Sequence, residues 1–82
     1  MLTQDKIESL LKEDKDVANA IVTGDGYHFD AIIVSDAFAG LSRVARQQKV
    51  YAKLNAWIKS GELHAISLKT YTKQEWEKQK VG

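Results

Sequence analysis

Hydrophobic residues recur along the chain at two spacings, and these spacings predict alternating helices and strands. In the first segment, Ile7, Leu10 and Leu11 recur at the spacing of one helix face. Thr3 precedes them and is a suitable N-cap residue. We therefore predict a first helix over Thr3 to Lys12.

Two segments rich in valine, isoleucine and aromatic residues follow, and this composition is typical of strands. They cover Val17 to Thr23 and Tyr27 to Ser35, and Gly24, Asp25 and Gly26 lie between them. A connection of this length with glycine is typical of a hairpin. The second strand is apolar on both faces near its end, which indicates a central strand.

The segment from Ser42 to Lys59 has a helical pattern whose phase slips. Ser42 can cap its start, and Gly40 before it can take the positive φ of a tight turn. In one continuous helix, Arg43 would lie in the middle of the apolar stripe. A break near residues 48–52 removes this conflict, so we predict a short helix followed by a longer one.

The last part of the chain predicts a third strand and a final helix. Gly61 ends the preceding helix, and the strand covers Leu63 to Tyr71. Thr72 and Glu75 fit a capping box, and Trp76 would anchor the helix that they start. Two strands joined by a helical crossover are typically parallel, with a right-handed connection. We therefore predict an α+β fold in the order α-β-β-α-α-β-α, with a three-stranded mixed sheet and helices on one face.

The composition is that of one small folded domain over residues 1–82, with 44% hydrophobic and 28% charged residues. A chain of this length buries only about 60 to 65% of its unfolded surface, which leaves little room for an internal cavity. No serine or carboxylate has a visible catalytic partner, so we expect no enzyme. No apolar run approaches the roughly 18 residues of a membrane span, and we expect a cytoplasmic protein.

The chain has no cysteine, which excludes disulfides, thiolate metal sites and a thiol nucleophile. Twelve basic and eleven acidic side chains give a formal net charge of +1. This charge creates no overall field that attracts nucleic acid or an anionic membrane. Any such binding must come from a local patch.

The two histidines open neighbouring strands that we predict to be parallel. His28 lies near the start of the second strand and His64 near the start of the third, so both imidazoles should lie at one end of the sheet. Imidazole is a common metal ligand and can replace thiolate on one iron of a 2Fe–2S centre. Two imidazoles could hold such a cluster only together with thiolates from elsewhere. On the residues alone, ordinary surface histidines are the commoner case.

Several motifs resemble the BolA family in their order and spacing. The central motif is Phe38-Ala39-Gly40-Leu41-Ser42, followed by Arg46 and Val50-Tyr51. It is preceded by Gly24-Asp25-Gly26-Tyr27-His28-Phe29 and followed by His64 to Thr72 and by Glu75-Trp76. Gln47-Gln48 resembles the IbaG-like branch of the family. The resemblance extends from near Asp5 to near Glu77, almost the whole chain.

The resemblance implies a class II KH-like fold with two helices after Ser42, and a non-enzymatic partner of a monothiol glutaredoxin. The two proteins would share a 2Fe–2S cluster in iron–sulfur assembly, trafficking or iron sensing, with other ligands from glutaredoxin cysteine and glutathione. His64 stands at the position of the family's histidine at the start of the last strand. His28 lies in the variable loop that supplies a second ligand in cluster-binding relatives, and Asp25 is a weaker oxygen candidate. Alone, the chain is expected to be a monomer or a weak homodimer.

A stripe of basic residues in the central helix offers an alternative function. The stripe consists of Arg43, Arg46, Lys49 and Lys53, spaced to lie along one side of a helix. Such stripes contact phosphates, and BolA-like proteins have been linked to transcriptional regulation. The chain lacks the Gly-x-x-Gly loop by which KH domains clamp a nucleic-acid backbone. DNA binding, docking of glutaredoxin and a merely solvated helix face all remain open.

Overall fold

The sheet and its helices follow the predicted α+β arrangement in the computed structural model, which describes residues 2–81. The helices are α1 (Gln4–Lys12), α2 (Arg43–Ser60) and α3 (Lys73–Val81). The strands are β1 (Val17–Gly24), β2 (His28–Ser35) and β3 (Ala65–Tyr71). A short 3₁₀ turn, Asp36–Phe38, follows β2. The predicted fold class is confirmed, and each predicted strand lies within two residues of its observed position.

The sheet has the strand order β1-β2-β3, with β2 in the centre. β1 pairs with β2 in the antiparallel sense, and β2 pairs with β3 in the parallel sense, as predicted. The parallel register places His28 opposite Ala65 and Ile33 opposite Thr70. The N-terminal ends of β2 and β3 therefore lie side by side.

The hydrophobic core lies between one face of the sheet and helices α1 and α2. Alternate residues of a strand point to the same face. The core face of β2 carries Phe29, Ala31 and Ile33, and all three are buried. The helices contribute four buried residues to this core: Ile7 and Leu11 from α1, and Val50 and Leu54 from α2.

Helix α2 is a single helix from Arg43 to Ser60, so the predicted break near residues 48–52 is wrong. The predicted order α-β-β-α-α-β-α accordingly becomes α-β-β-α-β-α. The apolar residues that suggested the phase slip do not form a buried stripe, since Val44 is 62% exposed and Ile58 is 41% exposed. Only Val50 and Leu54, one turn apart, are fully buried on this helix. Arg43 can therefore stay exposed without any break.

The predicted ends of the helices are confirmed. The Ser42 hydroxyl accepts the amide of Ala45 at 3.1 Å, and Gly61 ends α2 with a φ of 83°. At the start of α3, the Thr72 amide donates to Glu75 Oε1 at 2.9 Å, and the Glu75 amide donates to Thr72 Oγ1 at 3.2 Å. This reciprocal pair is the predicted capping box. Within residues 2–81, no helix combines the length and apolar character needed to cross a membrane.

Candidate functional site at the His64 end of the sheet

The two histidines lie at the end of the sheet where β2 and β3 begin. His28 is the first residue of β2, and His64 immediately precedes β3. Both side chains are exposed. Because His28 is in register with Ala65, the residue after His64, the parallel pairing brings both backbones to the same end, as predicted.

The two imidazoles nevertheless have different neighbours. His28 shares a strand face with Asp30, and its Nε2 lies 3.9 Å from Asp30 Oδ1. The ring of His64 stacks on the ring of Tyr27, with centroids 5.0 Å apart and an interplanar angle of 16°. The structure thus groups His64 with Tyr27, and His28 with Asp30.

The β1–β2 turn is held by the side chain of Asp25. Its Oδ1 accepts the amides of Tyr27 and His28, each at 2.9 Å. The His28 amide, followed by the Tyr27 amide, lowers the pKa of Asp25 below its ordinary value, because both donors favour the ionised carboxylate. Asp25 therefore stabilises the turn, whereas the sequence predicted it only as a weaker candidate for an oxygen ligand.

A surface cleft, here called the His64 cleft, opens beside the stacked rings. It has a volume of about 520 Å³ and is lined by Leu2, Asp25, Gly26, Tyr27, Gly61, Glu62 and His64. Gly61 contributes because α2 ends there and the chain turns towards β3. The cleft is open to solvent, so a second protein can reach the His64 side chain.

The available donor atoms decide which kind of metal centre fits this end of the sheet. Within residues 2–81, no group of three or more His, Cys, Asp or Glu side chains is arranged to hold a metal ion. The sequence provides no thiolate, whereas His64 offers an exposed imidazole. These residues fit a 2Fe–2S cluster whose sulfur ligands come from a partner, because imidazole can ligate one iron of such a centre. They do not fit a cluster held by this chain alone.

The basic stripe on α2 is partly neutralised within the chain. Arg46 donates two hydrogen bonds to the Glu75 carboxylate, at 2.6 and 3.2 Å. This pairing raises the pKa of Arg46 and, with the Thr72 amide, lowers the pKa of Glu75 to about 2. Lys53 lies 2.5 Å from Asp14 Oδ2, and its hydrogen bond lowers the pKa of Asp14.

The other two residues of the stripe, Arg43 and Lys49, are exposed on α2. Arg46 is only 13% exposed at its side chain, and it also donates to the Leu41 carbonyl at 3.1 Å. Its position therefore indicates a structural role at the junction of α2 and α3. Of the four basic residues predicted for DNA contact, two are engaged in ion pairs.

Tyr27 is the residue of this site that the sequence patterns did not single out. A signal for it was present, because Tyr27 and His64 each precede the first paired residues of two parallel strands. Extending the His28–Ala65 register by one residue places these two side chains opposite each other. The register itself, however, is known only once the strands are paired.

Comparison with known proteins identifies the family of the chain. Residues 6–75 match the family described as BolA-like protein. The chain belongs to the BolA family. It is 40% identical over 75 residues to the acid stress protein IbaG of Escherichia coli, covering 92% of this chain and 89% of that protein. This similarity agrees with the IbaG-like branch that Gln47-Gln48 predicts.

Solved BolA structures share the fold. A BolA protein homologue from Coxiella burnetii is 34% identical, with a TM-score of 0.77, covering 94% of this chain and 99% of that chain. The BolA domain of SufE1 from Arabidopsis thaliana is 32% identical, with a TM-score of 0.78, covering 92% of this chain and 99% of that chain. The mixed sheet and its helices described above are therefore those of a BolA-like domain.

Proposed function

We propose that this BolA-family chain is a non-enzymatic partner of a monothiol glutaredoxin and shares a 2Fe–2S cluster with it. The pair would act in iron–sulfur assembly, trafficking or iron sensing. The observation that supports this most directly is the exposed imidazole of His64 at the start of β3, in a chain without cysteine.

In this proposal each partner supplies what the other lacks. His64 provides a nitrogen ligand, and the glutaredoxin cysteine and glutathione provide sulfur ligands. The bound cluster would supply an iron–sulfur unit for transfer or for signalling iron status. His28 is the weaker candidate for a second ligand from this chain. It lies at the same end of the sheet, but the register pairs Tyr27 rather than His28 with His64, and its Nε2 lies 3.9 Å from Asp30 Oδ1.

The proposal is tested by co-expressing the chain with a monothiol glutaredoxin and recording visible absorption and circular dichroism of the purified complex. His64→Ala should change the cluster spectrum, because one iron loses its nitrogen ligand. His28→Ala tests the second imidazole separately, because a changed spectrum in that variant would show that His28 is also a ligand. A spectrum that His64→Ala leaves unchanged would contradict the proposal.

The alternative is a DNA-binding regulator that uses the basic stripe. It is favoured by the exposure of Arg43 and Lys49, and weakened by the ion pairs of Arg46 and Lys53. The E. coli relative is named an acid stress protein, and a stress-related regulatory role belongs with this alternative. For DNA binding, log K should fall linearly as log salt concentration rises, because counterions bound to the DNA are released when the protein binds. Absence of any DNA complex at low salt would exclude it.

A further inference from the structure

Tyr27 is placed where a large aromatic residue gains little from burial. The residue is 71% exposed and lies outside the hydrophobic core. Its aromatic neighbour is the imidazole of His64, at a centroid distance of 5.0 Å and nearly parallel. Such offset stacking between rings is favourable beyond the area that it buries.

The turn that carries Tyr27 is held in place by several contacts. Asp25 Oδ1 accepts the Tyr27 amide at 2.9 Å, and the Asp25 amide donates to the His28 carbonyl at 3.3 Å. Gly24 has a φ of 139°, and a Cβ at this position would lie 2.3 Å from the His28 carbonyl oxygen. The backbone beneath Tyr27 is thus fixed before any partner binds.

These contacts connect the β1–β2 turn to His64 through Tyr27, whereas His28 lies beside Asp30. A solvent-exposed imidazole can rotate freely unless a neighbour restrains it. The stack leaves His64 exposed while its ring lies nearly parallel to the ring of Tyr27. A partner can therefore reach His64 while the contact with Tyr27 restrains the orientation of its ring.

We propose that Tyr27 is a positioning residue, which holds the imidazole of His64 in the orientation that a partner-bound cluster requires. This inference rests on the proposed function of His64. Fixing a flexible side chain at an interface costs about two- to tenfold in affinity, and a ring that is already restrained avoids much of that cost.

The test compares Tyr27→Phe, which keeps the ring, with Tyr27→Leu, which removes it. NMR spectra of the cluster-free chain report the carbon-bound ring protons of His64, which a stacked aromatic ring shifts upfield. We expect Tyr27→Leu to abolish this shift and Tyr27→Phe to retain it. Asp16→Asn, an exposed substitution just before β1 and outside the cleft, is the control that should leave the shift unchanged.

Binding of the cluster-loaded glutaredoxin is then measured for the same variants. Tyr27→Leu should raise the dissociation constant about two- to tenfold, and Tyr27→Phe should restore nearly the original value. In a His64→Ala background, Tyr27→Leu should have no further effect, because the residue it positions is gone. Additive effects of the two substitutions would instead indicate a separate structural role and would overturn the inference.

The outcomes distinguish this inference from the proposed function. A cluster spectrum that His64→Ala leaves unchanged would overturn both. A changed spectrum in His64→Ala, together with unchanged ring-proton shifts or unchanged affinity in Tyr27→Leu, would overturn only the role of Tyr27. Circular dichroism in the far ultraviolet establishes that each variant is folded.

Discussion

Arg46 and Glu75 form a bidentate ion pair that joins helix α2 to helix α3. The two guanidinium–carboxylate distances are 2.6 and 3.2 Å, and the Arg46 side chain is 13% exposed. The same Glu75 carboxylate accepts the amide of Thr72 in the capping box. One carboxylate therefore both starts α3 and holds it against the rest of the fold.

Replacement of Arg46 by alanine should destabilise the fold. The variant loses the ion pair with Glu75 and the hydrogen bond to the Leu41 carbonyl. We expect the free energy of unfolding to fall by about 1–3 kcal/mol, as for hydrogen bonds that involve charged groups. Urea denaturation measures this change. Arg46→Lys is the control and should recover part of the loss, because lysine keeps the charge but not the bidentate geometry. Equal stability of Arg46→Ala and the unmodified chain would contradict a stabilising role of Arg46.

Acid should weaken the fold through Glu75. Its pKa is lowered from 4.5 to about 2 by Arg46 and by the Thr72 amide, so the unfolded chain binds more protons than the folded chain between these values. This contribution to stability is present above about pH 4.5 and is lost as the pH falls towards 2. Thermal unfolding between pH 6 and pH 2.5 should show a shallower decline in Glu75→Gln than in the unmodified chain. Parallel declines would show that Glu75 does not make this contribution.

Local sequence patterns predicted the strands, the turn and the helix ends, because each depends on neighbouring residues. The Thr72–Glu75 capping box is an example, since its donors and acceptors lie within one helical turn. The pairing of Arg46 with Glu75 and of Lys53 with Asp14 joins residues 29 and 39 positions apart. No local pattern shows such partners, so the stripe appeared to be free positive charge.

The wrong break in α2 has a related cause. Hydrophobic periodicity predicts which residues could be buried, but not which of them the sheet covers. Val44 and Ile58 lie near the two ends of α2 and remain exposed, while Val50 and Leu54 near its middle are covered. The position of His64 at the sheet end followed from topology alone, whereas its contact with Tyr27 needed the strand register.

Gly24→Ala should disrupt the turn that carries Tyr27. A Cβ at this position would lie 2.3 Å from the His28 carbonyl oxygen and 2.8 Å from Phe29 Cα, at a φ of 139°. Backbone atoms cannot move away cheaply, so we expect a loss of about 2 kcal/mol or more in the free energy of unfolding. The His64 ring protons should also lose their upfield shift.

Gly40→Ala is the matched control for this substitution. Gly40 has a φ of 78°, but a Cβ there would meet no atom within 4 Å. Gly40→Ala should lower the free energy of unfolding by only about 1–2 kcal/mol, the strain of the left-handed conformation, and should leave the His64 shift unchanged. Equal effects of both variants on the His64 resonances would refute the link between the turn and the stack.

The DNA-binding alternative predicts a gain of affinity when Lys53 is released from its ion pair. Asp14→Asn removes the carboxylate that lies 2.5 Å from Lys53 Nζ, and so frees one positive charge next to Lys49. If the stripe contacts phosphates, the slope of log K against log salt should steepen by about 0.9, the value for one additional contact with double-stranded DNA. Asp16→Asn removes the same charge from an exposed neighbour without freeing Lys53, and it should leave the slope unchanged. Equal slopes for the two variants would mean that Lys53 makes no phosphate contact, and the ion pair with Asp14 would then be its role in the fold.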